Sequence, residues 1–192
     1  MTATLSKISR DLKLVVPIES EDGSASYVHA VPLSEAAYGA NWQIIMRAWS
    51  TMMNNSASPD AAVRAAPYAL RDAAVALYGE GRAEEKRTAL INEVMRGATF
   101  ISASPDGFRP APYYNAVKNG AISSDDARDV EGVLVFFILV SANLEPKRRA
   151  VFLNGLKYFV DASVVSLSST EYVNSLQTQK RAEISGESKA AL

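Results

Sequence analysis

The run from Val133 to Val140, Val-Leu-Val-Phe-Phe-Ile-Leu-Val, carries no polar side chain and constrains the fold more than any other feature of the chain. A surface helix keeps one side for water, whereas a helix that is apolar all round must be enclosed by the rest of the molecule. Ser123 and Ser124, followed by Asp125, Asp126 and Asp129, supply the hydroxyls and carboxylates that favour a helix start. The pattern predicts a helix beginning there, central and surrounded, with Gly132 allowing close packing. The apolar stretch Val133 to Ala142 is about half the roughly 20 residues that cross a bilayer as a helix, so it reads as core and not as a span.

Around that helix the other segments take their places by periodicity. Leu12 to Ile18 and Tyr27 to Val31 are β-prone runs separated by Glu21-Asp22-Gly23-Ser24, and Asp-Gly suits a tight turn between antiparallel strands. Pro17 and Pro32 imply strand ends or exposed edges. After the N-cap candidate Ser34, the residues Tyr38, Trp42, Ile45, Trp49 and Met52 recur at helical spacing, which predicts a helix to about Asn54. A second set at Val63, Pro67, Leu70, Ala74 and Leu77 predicts a helix that Pro67 breaks or starts, and a third runs through Leu90, Ile91, Val94, Met95 and Ala98. From Ser102 to Pro112 the prolines at 105, 110 and 112 and Gly107 argue for a loop, with Phe108 as a contact residue. Pro146 suits the start of a further helix through Val151, Phe152, Leu156, Phe159 and Val160, and Ser168-Ser169-Thr170-Glu171 has capping-box spacing.

These elements predict a mainly α fold: an N-terminal β-hairpin followed by a compact bundle of about five helices. The layout is a flexible arm over residues 1–11, one globular domain over 12–177 (hairpin 12–33, helical part 34–177) and a mobile polar tail over 178–192. With 192 residues and 48% hydrophobic residues, one core forms without covalent staples.

The chemistry available is sparse. Zero cysteines exclude disulfides and thiolate sites and suit a reducing compartment. Lys and Arg number 20 against 21 Asp and Glu, so the chain has no long-range field for nucleic acid or an anionic membrane, and neither is expected as a partner. His29, the single histidine, lies in the alternating hairpin opposite in direction to Val28 and Ala30, where a solvent-facing or pairing role is the simple reading. The carboxylates Asp125, Asp126, Asp129 and Glu131 are explained by capping before any metal. Glycine spacing matches no nucleotide-binding loop. No catalytic residue, metal ligand or cofactor is therefore expected, and the chain reads as a non-enzyme. Candidate partner-binding residues are Trp42, Met46, Trp49 and Met53 on the first helix, Phe108, and the basic triplet Lys147, Arg148 and Arg149. For the helix-one side chains, burial in the core is the competing reading.

Three stretches together resemble tail assembly chaperones of long-tailed bacteriophages: Leu12 to Glu19 through Asp22-Gly23-Ser24 to Tyr27 to Leu33, Asp129 to Phe137, and Ser168 to Leu176. The resemblance implies a non-enzymatic protein that keeps the tape-measure protein soluble in the host cell cytoplasm and recruits tail-tube subunits. Members are typically absent from the finished virion, and many are also made in a longer, frameshifted form. A structural virion component, such as a tail completion or head–tail connector protein, is the alternative, and self-association into a homo-oligomer stays open.

Overall fold

The computed structural model of the chain describes residues 12–19, 25–55, 58–143 and 162–190. The expected arm over 1–11, the Asp22-Gly23 turn and the helix expected from Pro146 lie outside these residues.

The chain is mixed α/β rather than a hairpin on a helical bundle. Five antiparallel strands, β1 (Lys13–Glu19), β2 (Ala25–Ala30), β3 (Ala98–Ser104), β4 (Gly107–Pro112) and β5 (Ser163–Val165), form one sheet in the order β4-β3-β2-β1-β5. Six helices accompany it among the described residues: α1 (Glu35–Asn55), α2 (Pro59–Tyr78), α3 (Glu80–Arg96), α4 (Tyr113–Lys118), α5 (Ser124–Asn143) and α6 (Ser169–Ala190). The predicted third helix ends at Arg96, and Ala98 opens β3, whose β-branched and aromatic residues Thr99, Phe100 and Ile101 favour a strand. The segment over Ser102 to Pro112, expected as a loop, instead completes β3, turns at Pro105-Asp106 and returns as β4.

Register explains why β4 tolerates its prolines. Ser104 opposes Gly107 across a two-residue turn, so that pair is hydrogen-bonded and the pairs alternate from there. Pro110, opposite Ile101, and Pro112, opposite Thr99, then fall at positions whose N–H would point away from β3, to the free edge. No ladder bond is lost. The same logic holds at β1: Pro17 opposes Tyr27, and its missing N–H faces the side where β5 pairs only with Lys13, Leu14 and Val15 among the described residues.

Both sheet faces are buried, which is why β1 reads as a continuous apolar run. Leu14, Val16, Val28, Ala30 and Phe100 join the main core on one face. On the other, Val15, His29 and Ile101 are buried, and Ile101 packs with Val173 and Leu176 of α6 in a separate cluster rimmed by Tyr27, Phe108 and Tyr172.

Helix α5 occupies the central place its sequence demands. Every residue from Val133 to Val140 is buried, and α5 packs on α1, α2, α3 and β1. Helix α2 continues through Pro67, contrary to the expected break, which leaves the Val63 carbonyl without its usual donor. Gly132 of α5 crosses at that place: a Cβ built on it lies 3.7 Å from the Val63 carbonyl oxygen. The expected caps form as hydrogen bonds. Ala37 N–H donates to Ser34 Oγ at 3.2 Å, Asp126 N–H to Ser123 Oγ at 3.1 Å, and Ser168 N–H to a Glu171 carboxylate oxygen at 2.8 Å. Helix α6 runs on to Ala190, through the segment from residue 178 assigned to a tail. No described helix is long and apolar enough to cross a membrane.

Candidate functional site

Helix α1 carries more apolar surface than its packing uses. Its buried residues are Ile44, Ile45, Ala48 and Met52, on the side facing α5 and α2. Tyr38, Trp42, Met46, Trp49 and Met53 follow at intervals of three and four, an adjoining stripe about 80° wide at 3.6 residues per turn. Trp42 is 51% exposed, Met46 43% and Met53 42%, while Tyr38 and Trp49 are partly buried against the main core. The sequence assigned Tyr38, Trp42, Ile45, Trp49 and Met52 to one face. The helix divides them, with Ile45 and Met52 inside and Trp42 in water.

Beside the stripe, Trp42, Gln43, Met46, Arg47, Ser50 and Thr51 line a shallow groove of about 550 Å³ that Leu77 of α2 closes at one side. Its walls mix thioether and indole with hydroxyl, amide and guanidinium groups. Such a surface has adaptable apolar contact and a polar border, and it holds no nucleophile paired with a base.

The other sequence-nominated residues do not join this surface. Phe108 lies under α6, its ring centroid 6.1 Å from that of Tyr27, and its edge-facing carbonyl accepts a bond from Gln177 Nε2 at 3.4 Å. Lys147, Arg148 and Arg149 lie outside the described residues.

Three of the four acidic residues of α5 are paired with other side chains. Asp126 accepts the Ser123 hydroxyl at 2.7 Å, Asp125 pairs with Arg128 at 3.4 Å, and Glu131 pairs with Arg87 of α3 at 3.3 Å. Among the described residues no group of three or more His, Asp or Glu side chains is placed to hold a metal. A larger cavity of about 760 Å³ lies between β1, α2 and α5, where Ile18, Val63, Pro67 and Val133 meet Arg64 and Asp129.

His29 is buried, not solvent-facing, at 2% exposure. Its Nε2 lies 3.0 Å from the Leu167 carbonyl oxygen and its ring centroid 6.2 Å from that of Tyr172. Desolvation holds its pKa below the ordinary histidine value, opposed in part by the Leu167 bond and reinforced by the charge of Lys13. Burial pushes Tyr172 up to about 12 and raises Tyr113 further, so both stay neutral phenols. The histidine contact and the Gln177 bond to Phe108 span 138 and 69 residues of sequence, and no local pattern announces either. Comparison of the chain with protein-family models, with curated proteins and with solved structures gives no match.

Proposed function

We propose that the chain is a non-enzymatic protein-binding factor acting through the α1 stripe, and that it serves bacteriophage tail assembly by holding the tape-measure protein and recruiting tail-tube subunits. The observation that carries the binding part is the exposure of Trp42, Met46 and Met53 in one line beside a well-filled core. Large apolar side chains kept together in water on an otherwise mixed surface mark a contact site. The bacteriophage part rests on the resemblance of the leading hairpin, the acidic-to-apolar helix and the Ser168 to Leu176 segment to tail assembly chaperones.

Two physical points narrow the mode of binding. Of the outward-facing positions of β4, Pro110 and Pro112 carry no N–H and only Phe108 does, and Pro17 removes another on β1, so contact through helical surface is favoured over sheet extension. The stripe from Tyr38 to Met53 is about 22 Å long, too short to bury the roughly 800 Å² per partner of a standard stable interface. Affinity per site is then modest, and a long repetitive partner gathers many such sites by avidity.

The test is co-production of the tape-measure protein with the chain, followed by sedimentation and light scattering. The chain should keep its partner in the supernatant, and the triple variant W42A/M46A/M53A should let it precipitate. No effect of the unaltered chain on tape-measure solubility would overturn the chaperone role. Quantitative mass spectrometry of purified particles beside the infected-cell lysate gives the second readout. Abundance in lysate with absence from particles supports a chaperone, and a fixed copy number in particles makes the chain a structural component.

A further inference from the structure

We propose that His29 is a protonation-controlled latch on helix α6, whose charging in mildly acidic solution releases the helix and bares the outer sheet face at Tyr27, Ile101 and Phe108.

The geometry is a two-point tie at the entrance to α6. Lys13 of β1 donates from Nζ to the Ser166 carbonyl at 3.0 Å, and His29 of β2 bonds the Leu167 carbonyl through Nε2 at 3.0 Å. Both carbonyls immediately precede Ser168, which caps α6 in a reciprocal bond with Glu171. Beyond this joint, among the described side chains, α6 meets the sheet through Val173 and Leu176 over Ile101, the rings of Tyr172 and Tyr27 edge to face at 5.7 Å, and Gln177 on Phe108. That cluster is separate from the main core, so α6 can leave without opening it.

The charges and titratable groups around the ring favour its neutral form. From β1 comes the Lys13 ammonium, from α6 the neutral Tyr172 phenol, and on β2 itself Tyr27 lies two residues away. The nearest residue of β3 in register is Thr99, which carries no charge. Glu171 is occupied by Ser168. Among the described hydrogen bonds to the ring none comes from a carboxylate. A second proton, added at Nδ1, strengthens the Nε2–H bond to Leu167 but sets a cation in a buried site beside the Lys13 ammonium; desolvation is the larger effect, and water reaches the ring by movement of Leu167 and the helix it leads.

Hydrogen exchange with mass spectrometry on the full chain, corrected for intrinsic rate and followed from pH 7.5 to pH 5, tests the latch. In the unaltered protein, protection over α6 residues Ser169 to Gln177 should fall by about tenfold or more as pH drops, while α5 keeps its protection. His29→Gln keeps an amide donor for the Leu167 carbonyl and cannot charge, so its α6 should stay protected throughout. Lys13→Met removes the cationic neighbour together with the Ser166 bond, so its α6 should start less protected at pH 7.5 and lose less protection than the parent on going to pH 5. A pH-independent α6, an equal response in His29→Gln, or loss of α5 protection together with α6 would each overturn the proposal.

Discussion

On α1 two methionines one residue apart carry opposite assignments: Met52 is fully buried and Met53 is 42% exposed. Met52→Ala removes packed atoms from the core and should cost about 2–5 kcal/mol, read as a shifted midpoint in urea unfolding. Met53→Ala and Trp42→Ala should stay within about 0.5 kcal/mol of the parent in the same assay while weakening partner capture. His29 adds a pH term of definite sign. Its folded-state pKa lies below the unfolded value near 6.5, so the folded protein favours the neutral ring. Its contribution is complete above pH 6.5 and is lost as pH falls through the folded-state value. Urea midpoints measured from pH 8 to pH 5 should therefore decline at the acid end more steeply in the parent than in His29→Gln.

Strands and helices bring other constraints. The prolines of β4 remove two of the three outward N–H groups of that strand and leave the one at Phe108. The double variant Pro110→Val with Pro112→Thr restores two outward donors and raises strand propensity, and should self-associate at concentrations where the parent scatters no light. At the start of α6, Ser168→Ala removes the reciprocal cap and should cost about 1 kcal/mol, seen as faster exchange in its first turn. Elements with strong local signals were legible in the sequence. The apolar run of α5 could only be a core helix, the caps at Ser34, Ser123 and Ser168 stand where hydroxyl and carboxylate spacing placed them, and the β1–β2 pairing follows from two alternating β-prone runs. The strands β3, β4 and β5 were not legible. Proline density argues against a strand until it is known that the strand has an empty side, and that is a fact of tertiary register. A three-residue strand such as β5 has too little sequence to carry a period. The candidate site was half legible for the same reason: spacing marks an apolar stripe on α1, and only packing tells which members face α5 and which face water.

At the scale of the whole molecule, the sheet separates a large core from a small one. Helix α5 is held on its deep side by α1, α2 and α3, and the contact at Gly132 sets how closely α2 and α5 approach. Gly132→Ala should be tolerated, since its Cβ meets ordinary contact distance at 3.7 Å, while Gly132→Leu should cost about 1–3 kcal/mol in thermal or urea unfolding. The pairing of β1 with β5 joins Lys13 to Val165, from near one end of the described chain to near the other. Such a contact is far apart in sequence, and the entropy of closing so long a loop falls on the slow part of folding. On the ribosome the first hairpin therefore waits until Val165 has emerged before this neighbour arrives. Until then Val15 and the outer side of β2 have no cover, and the nascent chain is itself a client for shielding during its own synthesis.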